Sequence, residues 1–276
     1  MAHGSPISGS PSLGFAPWRR LGRAWRALRT GIAFAVFGIF GLVLGLVVFP
    51  LVRWRGRGAP ADTVERLCQR HVYRIFQAFT LLLRGLGLAE IRIRGAEQLL
   101  APGTLVVANH PTLLDVVMIG ACMPQLDCVV KKEAWSNPFM RHVVRATGYV
   151  PNDLGEAVID ACAERLRRGR SLLLFPEGQR SPEAGLGPFM RGAAHLALKS
   201  GRPLTPVVVR CTPPTLMRGQ KWYQVPERRM CFDIEVCAPI DFARGADPAE
   251  PRAAAARRIT SALRDFYQKK LHNFER

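Results

Sequence analysis

The 276 residues are nearly half hydrophobic, enough for one sizeable α/β domain with an appendage. Lys and Arg outnumber Asp and Glu 39 to 21, and the resulting net charge of +18 directs the surface toward anions: nucleic acid, anionic lipid or an acidic carrier protein. Seven cysteines stand at 68, 122, 128, 162, 211, 231 and 237, an odd number without a CxxC pair, which argues against a disulfide framework and a zinc site and fits a reducing, cytosolic setting.

Residues 1–17 are rich in Gly, Ser and Pro and are expected to be disordered. An arginine cluster follows at Arg19, Arg20, Arg23, Arg26 and Arg29, and then 22 positions, 31–52, without a charge. At 1.5 Å per residue that run is long enough to cross a bilayer core of about 30 Å. It is too long for the apolar region of a signal peptide, and no small-residue cleavage site follows it. Arg53, Arg55 and Arg57 make the far flank positive as well, which favours both flanks on the cytoplasmic side and hence a hairpin or a shallow insertion. Segment 63–88 is the expected return or interfacial helix. Val72, Ile75, Phe76, Phe79, Leu82, Leu83 and Leu86 recur near helical spacing beside Arg66, Arg70, Arg74 and Arg84. A helix packed on the soluble domain is the alternative. The chain thus divides into a disordered 1–17, a membrane-associated helical region 18–88 and a folded domain 89–276.

From residue 89 apolar runs and helical periods alternate. Strands are predicted at 90–95, 104–108, 127–130, 171–175, 204–210 and 230–236, and helices at 113–123, 137–146, 154–168, 192–201 and 248–272. This order predicts an α/β fold, a mainly parallel sheet flanked by helices, with catalytic groups on loops leaving strand C-termini.

Two such loops carry chemistry. Strand 104–108 runs into Asn109-His110-Pro111-Thr112-Leu113-Leu114-Asp115. A neutral imidazole on this loop can take a proton from a hydroxyl as that hydroxyl attacks a carbonyl, and Asp115, folded back, would fix its tautomer. No Ser or Cys nucleophile is then required. The second loop, Phe175-Pro176-Glu177-Gly178-Gln179-Arg180-Ser181, offers a carboxylate, a glycine for close approach and a bidentate guanidinium suited to a phosphate or a polyol. Read alone, the first motif is a helix N-terminal histidine and the second a surface turn.

Together the two loops resemble the glycerolipid acyltransferase family typified by lysophosphatidic acid acyltransferases. Its Asn-His-x4-Asp block is matched by Asn109, His110 and Asp115, and its Phe-Pro-Glu-Gly-Thr-Arg-Ser block at 175–181, with Gln179 in place of Thr. An apolar strand around Pro206 and the helix before it also fit, so the resemblance covers about 89–240. It implies an O-acyltransferase with catalytic His110 and Asp115 and with Asn109, Glu177, Gly178, Arg180 and Ser181 at the substrate. The donor is acyl-CoA or acyl carrier protein, the acceptor a lysophospholipid-type or other lipid hydroxyl, and no metal or organic cofactor is needed. Anionic membrane lipids are the expected partners, nucleic acid is not, and the expected place is the cytoplasmic face of a bacterial inner membrane. A thioesterase would use the same thioester with water, but there is no Gly-x-Ser-x-Gly elbow. A non-catalytic basic membrane or nucleic-acid binder leaves the paired loops unexplained. One departure stands out: where the family carries a phosphate-binding arginine, near 153, this chain has Asp153. Its charge is expected to repel a phosphate and to favour a less anionic acceptor, as in a resembling bacterial subgroup associated with aryl polyene or other specialised lipids.

Overall fold

The computed structural model describes residues 16–137, 140–153, 157–183, 185–242 and 249–273. The expected disorder of the extreme N-terminus falls largely on 1–15, outside the described residues. Helix α1 (Ala16–Val43) continues through a π turn (Leu44–Val48) into α2 (Phe49–Arg55). Pro50 has no N–H to contribute to the ladder, and immediately before it the Phe49 N–H reaches back five residues to the Leu44 carbonyl. Then come α3 (Ala61–Gly85), β1 (Ala89–Arg94), β2 (Leu105–Ala108), α4 (Asp115–Gly120), β3 (Asp127–Val130), α5 (Glu133–Ser136) and α6 (Arg141–Thr147). The chain ends with β4 (Val150–Pro151), α7 (Ala157–Arg167), β5 (Leu172–Leu174), α8 (Gly192–Ser200), β6 (Leu204–Thr212), β7 (Met230–Val236) and α9 (Arg252–Asn273).

Among the described residues seven strands form one sheet in the order β1-β7-β6-β2-β5-β3-β4. Strands β6, β2, β5, β3 and β4 are mutually parallel; β7 pairs antiparallel with β6, and β1 parallel with β7. This is the mainly parallel α/β fold the sequence predicts. Strand β2 lies in the middle with all four residues buried. Its side chains alternate between two cores. Val106 and Ala108 join Phe79, Met118, Ile119 and Phe232 on the face covered by α1, α3 and α4. Leu105 and Val107 join Leu166, Leu196, Ile259 and Leu263 on the face covered by α7, α8 and α9. Burial on both faces explains why these strands read as unbroken apolar runs. Tyr267 of α9 is fully buried and donates its hydroxyl to the Val107 carbonyl, tying the terminal helix to β2 beside the site.

The N-terminal helices share this core. Phe37 packs on Phe79, 4.5 Å between ring centroids, and Leu44 and Phe49 pack against Cys68 and Val72 of α3. Segment 63–88 forms α3, which packs on the domain and buries Cys68, Val72, Phe79 and Leu83, while Leu67 and Leu81 stay exposed. The opposite face of α1–α2 is a long apolar stripe in solvent, with Leu21, Trp25, Leu28, Ile32, Ile39 and Leu46 all exposed. Helix Leu21–Arg55, 35 residues, is long and apolar enough to cross a membrane. Such a stripe is an unusual thing to leave in water, and it is compatible with membrane association.

A buried ion network clamps α3 to the N-terminal ends of β3 and β5, the end of the sheet away from His110. Arg170 donates from Nε and Nη2 to the two oxygens of fully buried Asp127, at 2.6 Å each, and from Nη1 to Glu65 at 2.7 Å and Asp62 at 2.5 Å. Gln69 of α3 adds a bond to Asp127 at 2.7 Å.

Candidate active site

Strand β2 delivers Asn109 and His110 at its C-terminal end. The Asn109 amide is buried and used at both ends: it donates to the Val209 carbonyl at 2.9 Å and accepts from the Val209 N–H at 2.8 Å. It closes the gap where β2 and β6 diverge and so fixes the start of the His110 loop. The His110 ring follows, stacked on Phe175 with centroids 4.1 Å apart, its side chain 16% exposed.

Asp115 is fully buried at the start of α4. Its Oδ2 lies 2.8 Å from His110 Nδ1 and accepts the Thr112 N–H at 2.7 Å, while its Oδ1 accepts the Thr112 hydroxyl at 2.6 Å. Complete burial pushes the Asp115 carboxyl above the ordinary carboxylate pKa, and the bonds from His110 and Thr112 oppose that shift. When Asp115 is ionised it only accepts, and the contact with His110 then requires the ring proton on Nδ1 and leaves Nε2 as the nitrogen facing away. Thr112 is the site residue the motif reading passed over. The spacing Thr112-x-x-Asp115 before an apolar run is a capping-box pattern, and it was the available signal. Helix α4 itself runs Asp115–Gly120, preceded by Leu114 without a side-chain cap, and is shorter than the 113–123 expected.

The 175–181 loop is bolted to the first. Glu177, buried, accepts the His110 N–H at 3.0 Å and the Ser181 hydroxyl at 2.8 Å on Oε1, and the Gly187 N–H at 2.9 Å on Oε2. The Ser181 N–H donates to the His110 carbonyl at 2.7 Å. Gly178 has φ +66°, and a Cβ there would meet the Met190 sulfur at 2.7 Å, so glycine satisfies both the backbone and the close approach. Arg180 directs Nη1 at the carbonyls of Leu216 and Met217, 2.8 Å each. Leu216, itself at φ 55°, also accepts the Leu113 N–H at 3.1 Å, so one carbonyl joins both loops to the 213–229 segment. Asp153, expected to face an acceptor's phosphate as an uncompensated charge, pairs instead with Lys132 at 3.0 Å.

All seven thiols are shifted away from the thiolate form. Burial pushes Cys68 up to about 11 and Cys162 and Cys211 to about 12, and it raises Cys122, Cys128, Cys231 and Cys237 as well.

If Glu177 braces the two loops, Glu177→Gln destabilises the fold. Donors face both of its oxygens, so an amide NH2 meets an N–H or O–H whichever way it turns. Melting is expected to show a loss of about 1–3 kcal/mol. An unchanged Tm with a raised KM would instead make Glu177 a substrate contact.

Residues 90–210 match the Acyltransferase family. The chain is 28% identical to a 1-acyl-sn-glycerol-3-phosphate acyltransferase of Saccharomyces cerevisiae over 78% of its own length and 68% of the relative's. It is 23% identical to one of Pseudomonas aeruginosa over 83% and 86%, and 35% identical to one of Helicobacter pylori over 38% and 47%. Its fold is similar to the crystal structure of the 1-acyl-sn-glycerophosphate acyltransferase from Thermotoga maritima, with TM-score 0.62 and 20% identity over 90% of this chain and 97% of that one. With the Asn109–Asp115 and Phe175–Ser181 loops joined at His110, residues 90–210 are similar to the acyltransferase family, and the relatives the chain matches over most of its length are 1-acyl-sn-glycerol-3-phosphate acyltransferases.

Proposed function

We propose that this enzyme moves a fatty acyl group from a thioester, on coenzyme A or acyl carrier protein, to the free hydroxyl of a monoacylated glycerol phosphate, with His110 as general base. The observation that carries it is the 2.8 Å contact between His110 Nδ1 and a fully buried Asp115. His110 Nε2 takes the hydroxyl proton as the hydroxyl oxygen attacks the thioester carbonyl carbon. The tetrahedral intermediate then collapses, the C–S bond breaks, and the imidazolium returns its proton to the departing sulfur. Asp115 stabilises the imidazolium between the two steps. The sequence balances without a metal or an organic cofactor.

The names of the relatives support the acceptor. Arg180 is assigned to its phosphate: Nη1 is held by two carbonyls, which aims the guanidinium and leaves Nε and Nη2 for an oxyanion. Asn109, Glu177 and Ser181 are assigned to holding the loops, since their polar atoms are engaged within the protein. Asp153 is paired to Lys132, which offsets part of the repulsion expected from it. The membrane reading also sharpens. Helix α1–α2 touches the domain along its length, from Arg23–Glu227 at 2.5 Å near its start to Arg53 on the Arg145 carbonyl at 3.3 Å near its end. These contacts support a helix that lies along one leaflet, apolar stripe inward, rather than across the bilayer. The basic flanks put this leaflet on the cytoplasmic side, in a bacterium that of the inner membrane.

An acceptor panel with acyl-CoA and acyl carrier protein donors tests the assignment. Lysophosphatidic acid is expected to be turned over best, and Arg180→Ala to raise its KM by about tenfold to a hundredfold, the worth of a charge-assisted hydrogen bond. Faster turnover of zwitterionic lysolipids, indifferent to Arg180→Ala, overturns the acceptor.

A further inference from the structure

The 213–229 loop carries an exposed aromatic and basic patch that the catalytic chemistry does not use. Trp222 and Tyr223 are 49% and 50% exposed, and their rings meet edge to face at 5.7 Å. Lys221 Nζ lies 5.6 Å over the Tyr223 ring, and Arg218 and Arg228 are exposed on the same loop. Aromatic rings with a polar tip beside cations suit the headgroup level of a bilayer. The patch is continuous with α1. A Cβ on Gly31 would stand 3.2 Å from the Trp222 ring, and Glu227 pairs with Arg23. At its other end the loop supplies the Leu216 carbonyl that holds Arg180 and the Leu113 N–H.

We propose that residues 213–229 form a second bilayer contact, seated among anionic phospholipid headgroups beside α1, and that this contact orients the Arg180 side of the site toward membrane-borne acceptor. The proposal rests on the placement of α1 along the membrane. Charge selects the occupant: Arg218, Lys221 and Arg228 lie in the patch, and a cation near an anionic surface gains about fivefold in partition. Trp222 and Tyr223 enter the interface, and the α1 stripe supplies most of the binding energy.

The experiment uses the full chain and sonicated vesicles of phosphatidylglycerol or phosphatidylcholine. Activity is read on lysophosphatidic acid dissolved in the vesicles and on a short-chain lysophosphatidic acid that stays monomeric in water. Trp222→Ser/Tyr223→Ser is expected to remain vesicle-bound through α1. Its KM for the vesicle-borne acceptor should rise about tenfold, with kcat and the short-chain reaction unchanged. Arg218→Glu/Lys221→Glu should weaken binding to phosphatidylglycerol vesicles by tenfold or more and leave phosphatidylcholine binding as it was. Equal losses on vesicle-borne and monomeric acceptor would make the aromatic pair a packing element, and no loss on either would make it idle; both overturn the proposal. Wild-type protein that fails to sediment with either vesicle would overturn the placement of α1 itself, and this contact with it.

Discussion

Replacing His110 by alanine is expected to lower kcat/KM by about two to four orders of magnitude, the range a positioned general base supplies. The fold should survive, because the loop is held by backbone bonds to Glu177 and Ser181 rather than by the ring. Asp115→Asn should cost about a thousandfold. The amide oxygen can sit where Oδ2 sits, accept the Thr112 N–H and keep the ring tautomer, so the loss comes from charge. A carboxylate beside an imidazolium is worth about 4 kcal/mol at 4 Å and an effective dielectric near 20, which is about a thousandfold in rate. Steady-state assays with circular dichroism controls check both. Near-normal turnover by His110→Ala would sink the mechanism, and a loss from Asp115→Asn no larger than twofold would remove Asp115 from it.

The second large effect lies at the other end of the sheet. Arg170→Met leaves Asp127 buried beside Asp62 and Glu65 with its principal cation gone. Stranding a buried charge costs about 3–5 kcal/mol, and for a domain of this size melting falls by roughly 6–20 °C. Arg165, 3.3 Å from Asp127, compensates in part. The double variant Arg170→Met/Asp127→Asn should recover much of the loss, because the stranded charge leaves with its partner. Activity per folded molecule should be unchanged. A Tm within 2 °C of the wild type would show the network to be dispensable.

How much of this was legible in the sequence follows the length scale of each signal. Strands 127–130 and 230–236 have the bounds the apolar runs predict, because burial on one or both faces writes itself into four or more consecutive residues. Strand β4 has two residues and no pattern to read. The mainly parallel character was legible from the alternation of elements, but the strand order, and β7 running against β6, depend on pairings between distant segments. The same holds in the site. His110 and Asp115 are five residues apart and share a turn, so their meeting was readable, whereas the Leu216 and Met217 carbonyls that aim Arg180 carry no side-chain signal and lie 36 and 37 residues away. Asp153 shows the limit of reading a charge without its neighbours: its carboxylate is paired with Lys132, a contact 21 residues away in sequence that carries no local pattern.

The central claim is that the acyl group passes directly from thioester to an acceptor hydroxyl activated by His110. Incubating the enzyme with a radiolabelled acyl-thioester, with and without lysophosphatidic acid, and following the label into lipid, free fatty acid and protein tests it most directly. The predicted result is label in a diacylated lipid when acceptor is present, and neither labelled protein nor rapid fatty acid release when it is absent. Stoichiometric labelling of the protein by donor alone, or fatty acid released without acceptor as fast as lipid forms with it, would contradict direct transfer.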